Sequence, residues 1–139
     1  MATTTAAFTL TSTDLMDNAL NLSNTATLTT AGTTTGITET TGLARKKLAS
    51  ASLTDLITVA NTDVTAAKSA KVYIKNTGTA TDKYALIGIG DSSGTPIYIG
   101  RLYGNDFMFF PWDANSVEDI TITMSDATET VIEYMVFFE

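Results

Sequence analysis

Carboxylates are the side chains of this sequence that could do chemistry, since the chain contains no histidine and no cysteine. The absence of histidine and cysteine excludes the commonest general base, a thiol nucleophile, a thiolate metal ligand and a disulfide. Glycoside hydrolysis needs only two carboxylates, and the nearest pairs are Glu118 with Asp119 and Asp106 with Asp113. Both pairs lie in or beside polar loops, where solvated surface charge is the ordinary interpretation. We therefore expect no catalytic residues and no enzymatic activity.

Two further motifs resemble ligand sites only superficially. The segment from Gly88 to Gly94 has the spacing GxGxxxG, and Pro96 and a strand pattern follow it. A phosphate cradle needs a helix after its glycines, so a hairpin turn is the better interpretation. Asp113 and Asn115 have the spacing that opens a calcium loop, but the loop's glycine and closing glutamate are missing. The sequence therefore predicts no cofactor and no metal.

The charges are unevenly distributed along the chain. The net charge is −7, which argues against nucleic acid as a partner. All eight basic residues lie between Arg45 and Arg101, and the chain after Arg101 holds eight carboxylates and no cation. This separation suits association between copies or with a charged protein surface, or else marks a solvated acidic face. No apolar stretch is long enough to span a membrane, no signal peptide is predicted, and we expect folding in the cytoplasm.

The elements that must position any site are strands, because apolar residues alternate with period two along much of the chain. β-branched and aromatic residues dominate these segments, as strands require. The predicted strands cover residues 53–59, 71–75, 84–89, 97–102, 119–124 and 131–138.

Turn residues separate the predicted strands. Residues 76–82 and 91–96 predict hairpin loops, and residues 125–128 predict a third connection, into the last strand. This spacing predicts an all-β antiparallel sandwich with a jelly-roll-like arrangement. The only helical signal is weak: residues 13–20 have a suitable cap and spacing for one or two turns.

The first 42 residues differ from the rest, because 16 of them are threonine. We predict two parts: a Thr-rich N-terminal arm or first strands over 1–42, and a β-sandwich domain over 43–139. Such an arm has few large apolar groups, and it becomes ordered when a neighbouring subunit holds it. The alternative is that residues 7–30 supply ordinary strands of the same sandwich.

The segment from Tyr103 to Trp112 is the densest aromatic run, and both of its alternating faces are apolar. One interpretation places Phe107, Phe109 and Trp112 in the sandwich interior, with Met108 and Phe110 on the other face. The sharper alternative is a subunit interface, since exposed apolar patches mark association sites. The candidate interface residues are Arg45, Lys46, Lys47, Arg101, Tyr103, Phe107, Phe110, Trp112, Met135 and Phe137.

Four segments carry a resemblance: Gly-Leu-Ala-Arg-Lys-Lys-Leu at 42–48, Ala-Lys-Val-Tyr-Ile-Lys-Asn-Thr-Gly at 70–78, Ile-Gly-Arg-Leu-Tyr at 99–103 with Phe-Phe-Pro-Trp at 109–112, and Val-Ile-Glu-Tyr-Met at 131–135. Together they resemble the small β-sandwich virion proteins of tailed bacteriophages, particularly capsid decoration (cement) proteins. The resemblance implies a homotrimer on the outer capsid that ties major capsid protein subunits together. A neck, tail or head-fibre component, and a carbohydrate-binding module that uses Trp112, are the alternatives.

Overall fold

The computed structural model describes residues 4–15, 17–29, 36–37, 39–49, 51–59, 69–114 and 118–138. The chain forms two compact units, Met1–Thr38 and Glu39–Glu139. The described residues are nearly all in antiparallel strands and form no helix, so the predicted all-β class is confirmed. Accordingly, this part of the chain holds no helix of membrane-spanning length and hydropathy.

The first unit is a two-stranded antiparallel sheet. Strand β1 (Thr4–Ser12) pairs with β2 (Leu20–Leu28) along their whole length. The helical turn expected over residues 13–20 is wrong for the residues described there: residues 13–15, 17 and 18 form bends, and Leu20 begins β2. The Ser12 hydroxyl accepts a hydrogen bond from the Leu15 N–H (3.1 Å) and donates one to the Asp14 carboxylate (3.0 Å). These local bonds offer the backbone an alternative to a helix.

The second unit is a sandwich of two antiparallel sheets. Its strands are β3 (Glu39–Thr40), β4 (Ala44–Leu48), β5 (Thr54–Ile57), β6 (Ser69–Asn76), β7 (Tyr84–Ile89), β8 (Ile97–Tyr103), β9 (Phe107–Asp113), β10 (Ile120–Met124) and β11 (Thr130–Phe138). One sheet has the order β5-β10-β7-β8. The other is five-stranded, with the order β3-β11-β6-β9, and β4 also pairs with β11.

The core lies between these two sheets and consists of the inward half of each alternating strand. Val72 and Ile74 on β6 are fully buried, as are Ala85 and Ile87 on β7. Ile120 on β10 lies opposite Ile89, and Ile122 lies opposite Ile87, so the apolar positions of neighbouring strands meet on one face. Burial of such side chains stabilises a fold by roughly 1.5–3 kcal/mol each. The period-two alternation therefore identifies the core of the sandwich correctly.

The connections differ from the prediction in one important way. The 91–96 loop does join a hairpin, since β7 pairs with β8. The 76–82 loop was expected to close a hairpin, and that is wrong: it connects β6 in the five-stranded sheet to β7 in the other sheet. The 125–128 connection likewise passes from β10 to β11 between sheets. Loop composition predicts a reversal of direction but does not specify which sheet receives the next strand.

Asn76 joins the two sheets where β8 turns into β9. Its buried side chain donates from Nδ2 to the Leu102 carbonyl on β8 (2.9 Å) and accepts from the Gly78 N–H (2.9 Å). Its backbone N–H donates to the Asp106 carbonyl, and its carbonyl accepts from the Asn105 N–H, both at 3.0 Å. This one residue therefore fixes the position of the turn from which the aromatic strand β9 begins.

Candidate functional site

The side chains of the aromatic strand β9 form two sets, one that faces the interior of the sandwich and one that faces outward. Met108 and Phe110 are half-buried and pack against the core, whereas Phe107 and Phe109 are 59% and 38% exposed. The expectation that Phe107 and Phe109 fill the interior is therefore wrong. Both sets are apolar, so the sequence does not distinguish them, and a shift of one residue exchanges the faces.

Trp112 belongs to the inside set. It is only 3% exposed, and its indole Nε1 donates a 2.7 Å hydrogen bond to the Glu118 carbonyl. An indole that is both buried and hydrogen-bonded is a structural anchor, as large aromatic groups with a polar end often are. Trp112 therefore cannot serve as an accessible stacking platform for a sugar or as a contact with a partner.

The outward half of the five-stranded sheet carries a continuous apolar patch. In the strand register, Phe109 lies opposite Tyr73, and Tyr73 lies opposite Met135. The Phe109 and Phe137 rings meet edge to face with centroids 6.2 Å apart, and the Tyr73 and Phe107 centroids are 6.5 Å apart. Five apolar side chains from three adjacent strands thus form one surface.

Basic side chains surround this patch on the same face. Lys71 and Lys75 lie on either side of Tyr73 on the same face of β6. Arg45 and Lys47 lie on β4, at the other side of β11. We call the whole surface the aromatic–cation face. Its members are Arg45, Lys47, Lys71, Tyr73, Lys75, Phe107, Phe109, Glu133, Met135 and Phe137.

The basic residues of this face fall into two classes. Arg45 pairs with Glu133 (Nη2 to Oε1, 2.7 Å), and Lys47 pairs with Glu129 (2.6 Å). Within the part of the chain that the structure describes, no carboxylate lies within ion-pair distance of Lys71 or Lys75. Their two positive charges are therefore available to a partner, in a chain whose net charge is −7.

Burial raises the pKa of the Tyr73 phenol, and the nearby Glu133 carboxylate raises it further. The neutral phenol is thus favoured on this face over the phenolate. A neutral tyrosine adds apolar ring area and one hydroxyl without placing a second negative charge beside Glu133. This arrangement suits recognition of a protein surface rather than acid–base chemistry.

The ten candidate interface residues separate into three groups. Five of them lie on the aromatic–cation face: Arg45, Lys47, Phe107, Met135 and Phe137. Three point inward and pack within the sandwich: Lys46, Phe110 and Trp112. Arg101 and Tyr103 lie on β8 of the other sheet, where the Arg101 guanidinium stands 4.5 Å from the centroid of the Tyr84 ring.

Sequence reasoning did not single out Tyr73, Phe109, Lys71 or Lys75 as interface residues. The sequence does place Lys71, Tyr73 and Lys75 on one face of a strand. The other face of that strand carries Val72 and Ile74. What the sequence does not show is that β6 lies between β9 and β11. Only that order places these residues beside Phe109 and Phe137.

In each carboxylate pair considered for catalysis, one carboxylate accepts a hydrogen bond from a backbone N–H. Asp119 accepts from the Val59 N–H (2.8 Å), and Asp106 accepts from the Tyr103 N–H (2.9 Å). Asp113 is exposed on β9, and Asn115 of the proposed calcium loop lies outside the described residues. Among the residues that the structure describes, no group of three or more acidic side chains could hold a metal ion.

A cavity of about 350 Å³ lies beside β4, β5 and β11 in the sandwich. Its lining includes Lys46, Thr58 and Tyr134. The Lys46 ammonium already donates to the Asp55 carbonyl, and the buried Thr58 hydroxyl has no hydrogen-bond partner in the described structure. The cavity therefore offers one engaged cation and hydroxyls, which is a poorer site than the aromatic–cation face.

Comparison with known proteins identifies no relative: neither a family model, nor a curated protein, nor a solved structure matches this chain.

Proposed function

We propose that this chain is a non-enzymatic decoration (cement) protein of a tailed bacteriophage virion. It binds the outer surface of the assembled shell and stabilises contacts between major capsid subunits, and it does so as a homotrimer. The proposal rests on the resemblance of residues 42–139 to such proteins and on one observation in particular, the exposed aromatic–cation face.

An exposed apolar surface of this kind favours adhesion. Phe107 remains largely uncovered and Phe109 partly so, although water contact with their rings is unfavourable. Such surfaces on soluble domains commonly mark association sites, and aromatic residues are enriched in the buried centres of protein interfaces. Tyr73, Met135 and Phe137 extend the same surface across three strands.

The charge of the face favours an acidic partner. Lys71 and Lys75 flank the aromatic rings, and Arg45 and Lys47 lie farther along the sheet. Complementary charge speeds association and fixes the orientation of docking. In a chain whose net charge is −7, these basic side chains suit the face to an acidic capsid surface.

The mechanism of stabilisation is mass action. A protein that binds the assembled shell but not its dissociated subunits shifts the equilibrium toward the shell. No covalent chemistry is needed, and the resulting gain in shell stability depends on the affinity and the concentration of the bound protein.

The test uses virions of the phage that encodes the chain. We expect quantitative mass spectrometry to find this chain in amounts comparable with the major capsid protein, and virions stripped of it to lose infectivity at lower temperatures than intact virions. A copy number far below that of the shell subunit would instead assign the chain to the neck, tail or head fibres. Its absence from purified virions, or unchanged heat resistance after stripping, would contradict the proposal.

A further inference from the structure

The N-terminal hairpin has two chemically different faces. In the register of β1 and β2, Leu10 lies opposite Leu22, and Ala6 lies opposite Ala26. Phe8, Leu20 and the buried Leu28 lie on the same face, which also carries Thr4, Ser12 and Asn24 and is mostly apolar. The opposite face is formed by residues of the other parity, which are nearly all hydroxylated or amide side chains: Thr5, Ala7, Thr9, Thr11, Asn21, Ser23, Thr25 and Thr27.

The apolar face is largely uncovered at its centre. Phe8 and Leu22 are each 53% exposed, and Leu10 is 44% exposed. A two-stranded sheet is at best marginally stable in water, and it needs further strands or a packed face to persist. The hairpin therefore requires an occupant on its apolar side.

Charge indicates which occupant fits. Neither β1 nor β2 contains a charged residue, and the carboxylates of the connecting turn, Asp14 and Asp17, lie beyond the ends of the strands. An acidic or basic partner surface would lose hydration on this face without gaining an ion pair. Two identical faces meet without repulsion, although the chain as a whole carries −7.

We infer that the hairpin is a self-association element, and that its apolar face, centred on Phe8, Leu10 and Leu22, packs against the same face of a second copy of the chain. A two-fold contact of this kind is self-complementary by construction and joins chains in pairs, so it is additional to the contacts that would form the proposed homotrimer. It is separate from the aromatic–cation face, so the hairpin joins copies of the protein to each other whether or not that face binds a capsid.

Two neighbouring residues on opposite faces provide a matched test. Leu10→Lys places a charge on the apolar face, and Thr9→Lys places the same charge on the hydroxylated face. Sedimentation equilibrium of the full chain measures the mass against the 14.7 kDa monomer. We expect the wild type and Thr9→Lys to form the same oligomer. The dissociation constant of the Leu10→Lys oligomer should be roughly 100-fold higher, because a buried unpaired ammonium is costly.

Cross-linking gives a second readout that does not depend on stability. The chain has no cysteine, so a single introduced thiol is unique. Asn24 lies opposite Phe8 at the centre of the apolar face, and Thr25 is the next residue on the other face. Under mild oxidation we expect Asn24→Cys to form a disulfide-linked dimer readily and Thr25→Cys to remain reduced.

Several outcomes would overturn the inference. These are a monomeric wild type at high concentration, equal masses for Leu10→Lys and Thr9→Lys, or equal cross-linking of the two cysteine variants. Dissociation by Phe109→Lys but not by Leu10→Lys would instead place self-association on the sandwich. None of these measurements uses virions, so failure here is distinct from failure of the proposed capsid role.

Discussion

The Lys46 ammonium donates a 2.7 Å hydrogen bond to the backbone carbonyl of Asp55, which joins β4 of the five-stranded sheet to β5 of the other sheet. The Asp55 carboxylate in turn accepts from the Ser92 N–H (2.9 Å) and hydroxyl (2.7 Å) in the β7–β8 loop. Of three consecutive basic residues, the middle one thus points inward and connects the sheets, while Arg45 and Lys47 point outward.

The first prediction tests this connection. Lys46→Met keeps the aliphatic stem but removes the donor, so the partly buried Asp55 carbonyl loses its charged partner. We expect a loss of about 1–2 kcal/mol in the free energy of unfolding, measured by urea denaturation. Lys47→Met is the control, because its exposed pair with Glu129 contributes little. Equal effects of the two substitutions would contradict this role of Lys46.

The second prediction concerns Asn76. Asn76→Ala removes the bonds to Leu102 and Gly78 in a site that is almost fully buried. We expect a loss of about 2–3 kcal/mol, because two backbone groups lose their partners and a small void is left. Thr79→Ala, at an exposed position in the same connection, should change the unfolding midpoint little. A stable Asn76→Ala protein would show that the β8–β9 turn is held by other contacts.

The third prediction tests the close approach of two backbones at the same turn. A Cβ atom at Gly104 would lie 2.6 Å from the Ala80 carbonyl oxygen, and backbone atoms cannot move aside easily. We expect Gly104→Ala to destabilise the sandwich by roughly 1–3 kcal/mol. Gly94→Ala is the comparison, since its Cβ would meet its nearest neighbour at an ordinary 3.5 Å. Thermal unfolding of the two variants should separate them clearly.

The sequence predicts the strands of the sandwich well, for a physical reason. Where one face is apolar and the other polar, as in β6 with the fully buried Val72 and Ile74 against the half-buried Lys71 and Lys75, burial of the apolar face fixes both the strand and its inward side. The inward position of Lys46 was also predictable in principle, because it shares its parity with Ala44 and the buried Leu48.

The aromatic–cation face was only partly predictable. Along β9 both faces are apolar, so the local sequence does not show whether Met108 or Phe109 lies inside. Trp112, which lies on the same face as Met108, is buried and donates to the nearby Glu118 carbonyl. The order of strands in the sheet is set by long-range packing rather than by local sequence. That order is what brings Tyr73 between Phe109 and Met135.

The fourth prediction concerns pH. A hydrogen bond from Lys83, followed by one from the Thr128 N–H, lowers the pKa of Asp126 in the folded protein. A carboxyl whose folded pKa is depressed contributes stability above its unfolded pKa, and this contribution is lost as pH falls through the folded value. We expect the difference in unfolding free energy between the wild type and Asp126→Asn to be constant near neutral pH and to shrink below about pH 4.

The comparison for that measurement is Asp82→Asn, a carboxylate near Lys83 that makes no ion pair among the described residues. Its difference from the wild type near neutral pH should be small. A wild-type to Asp126→Asn difference that persists unchanged to pH 2 would show that the Lys83–Asp126 pair at 2.8 Å does not act through the charge of the carboxylate.

The fifth prediction tests the proposed capsid role through the charge of the aromatic–cation face. Reversing both free cations, Lys71→Glu with Lys75→Glu, should weaken binding to stripped virions roughly 10- to 30-fold, since each complementary contact contributes about 1 kcal/mol or less. Wild-type binding should weaken as salt rises, and the variant's should depend on salt less, because screening acts on the charges that the variant has lost. Co-sedimentation with virions over a range of salt measures both effects.

The control makes the same change in net charge on the other sheet. Lys83→Glu with Arg101→Glu alters the outer surface around Tyr84, away from Phe107 and Phe109. If the aromatic–cation face binds the shell, this control should bind almost as the wild type does, with the same salt dependence. Equal weakening by both double variants would mean that only overall charge matters. Phe109→Asp then distinguishes docking through the aromatic–cation face from attraction by overall charge. If the face docks specifically, this substitution should abolish binding at high salt as well as at low salt.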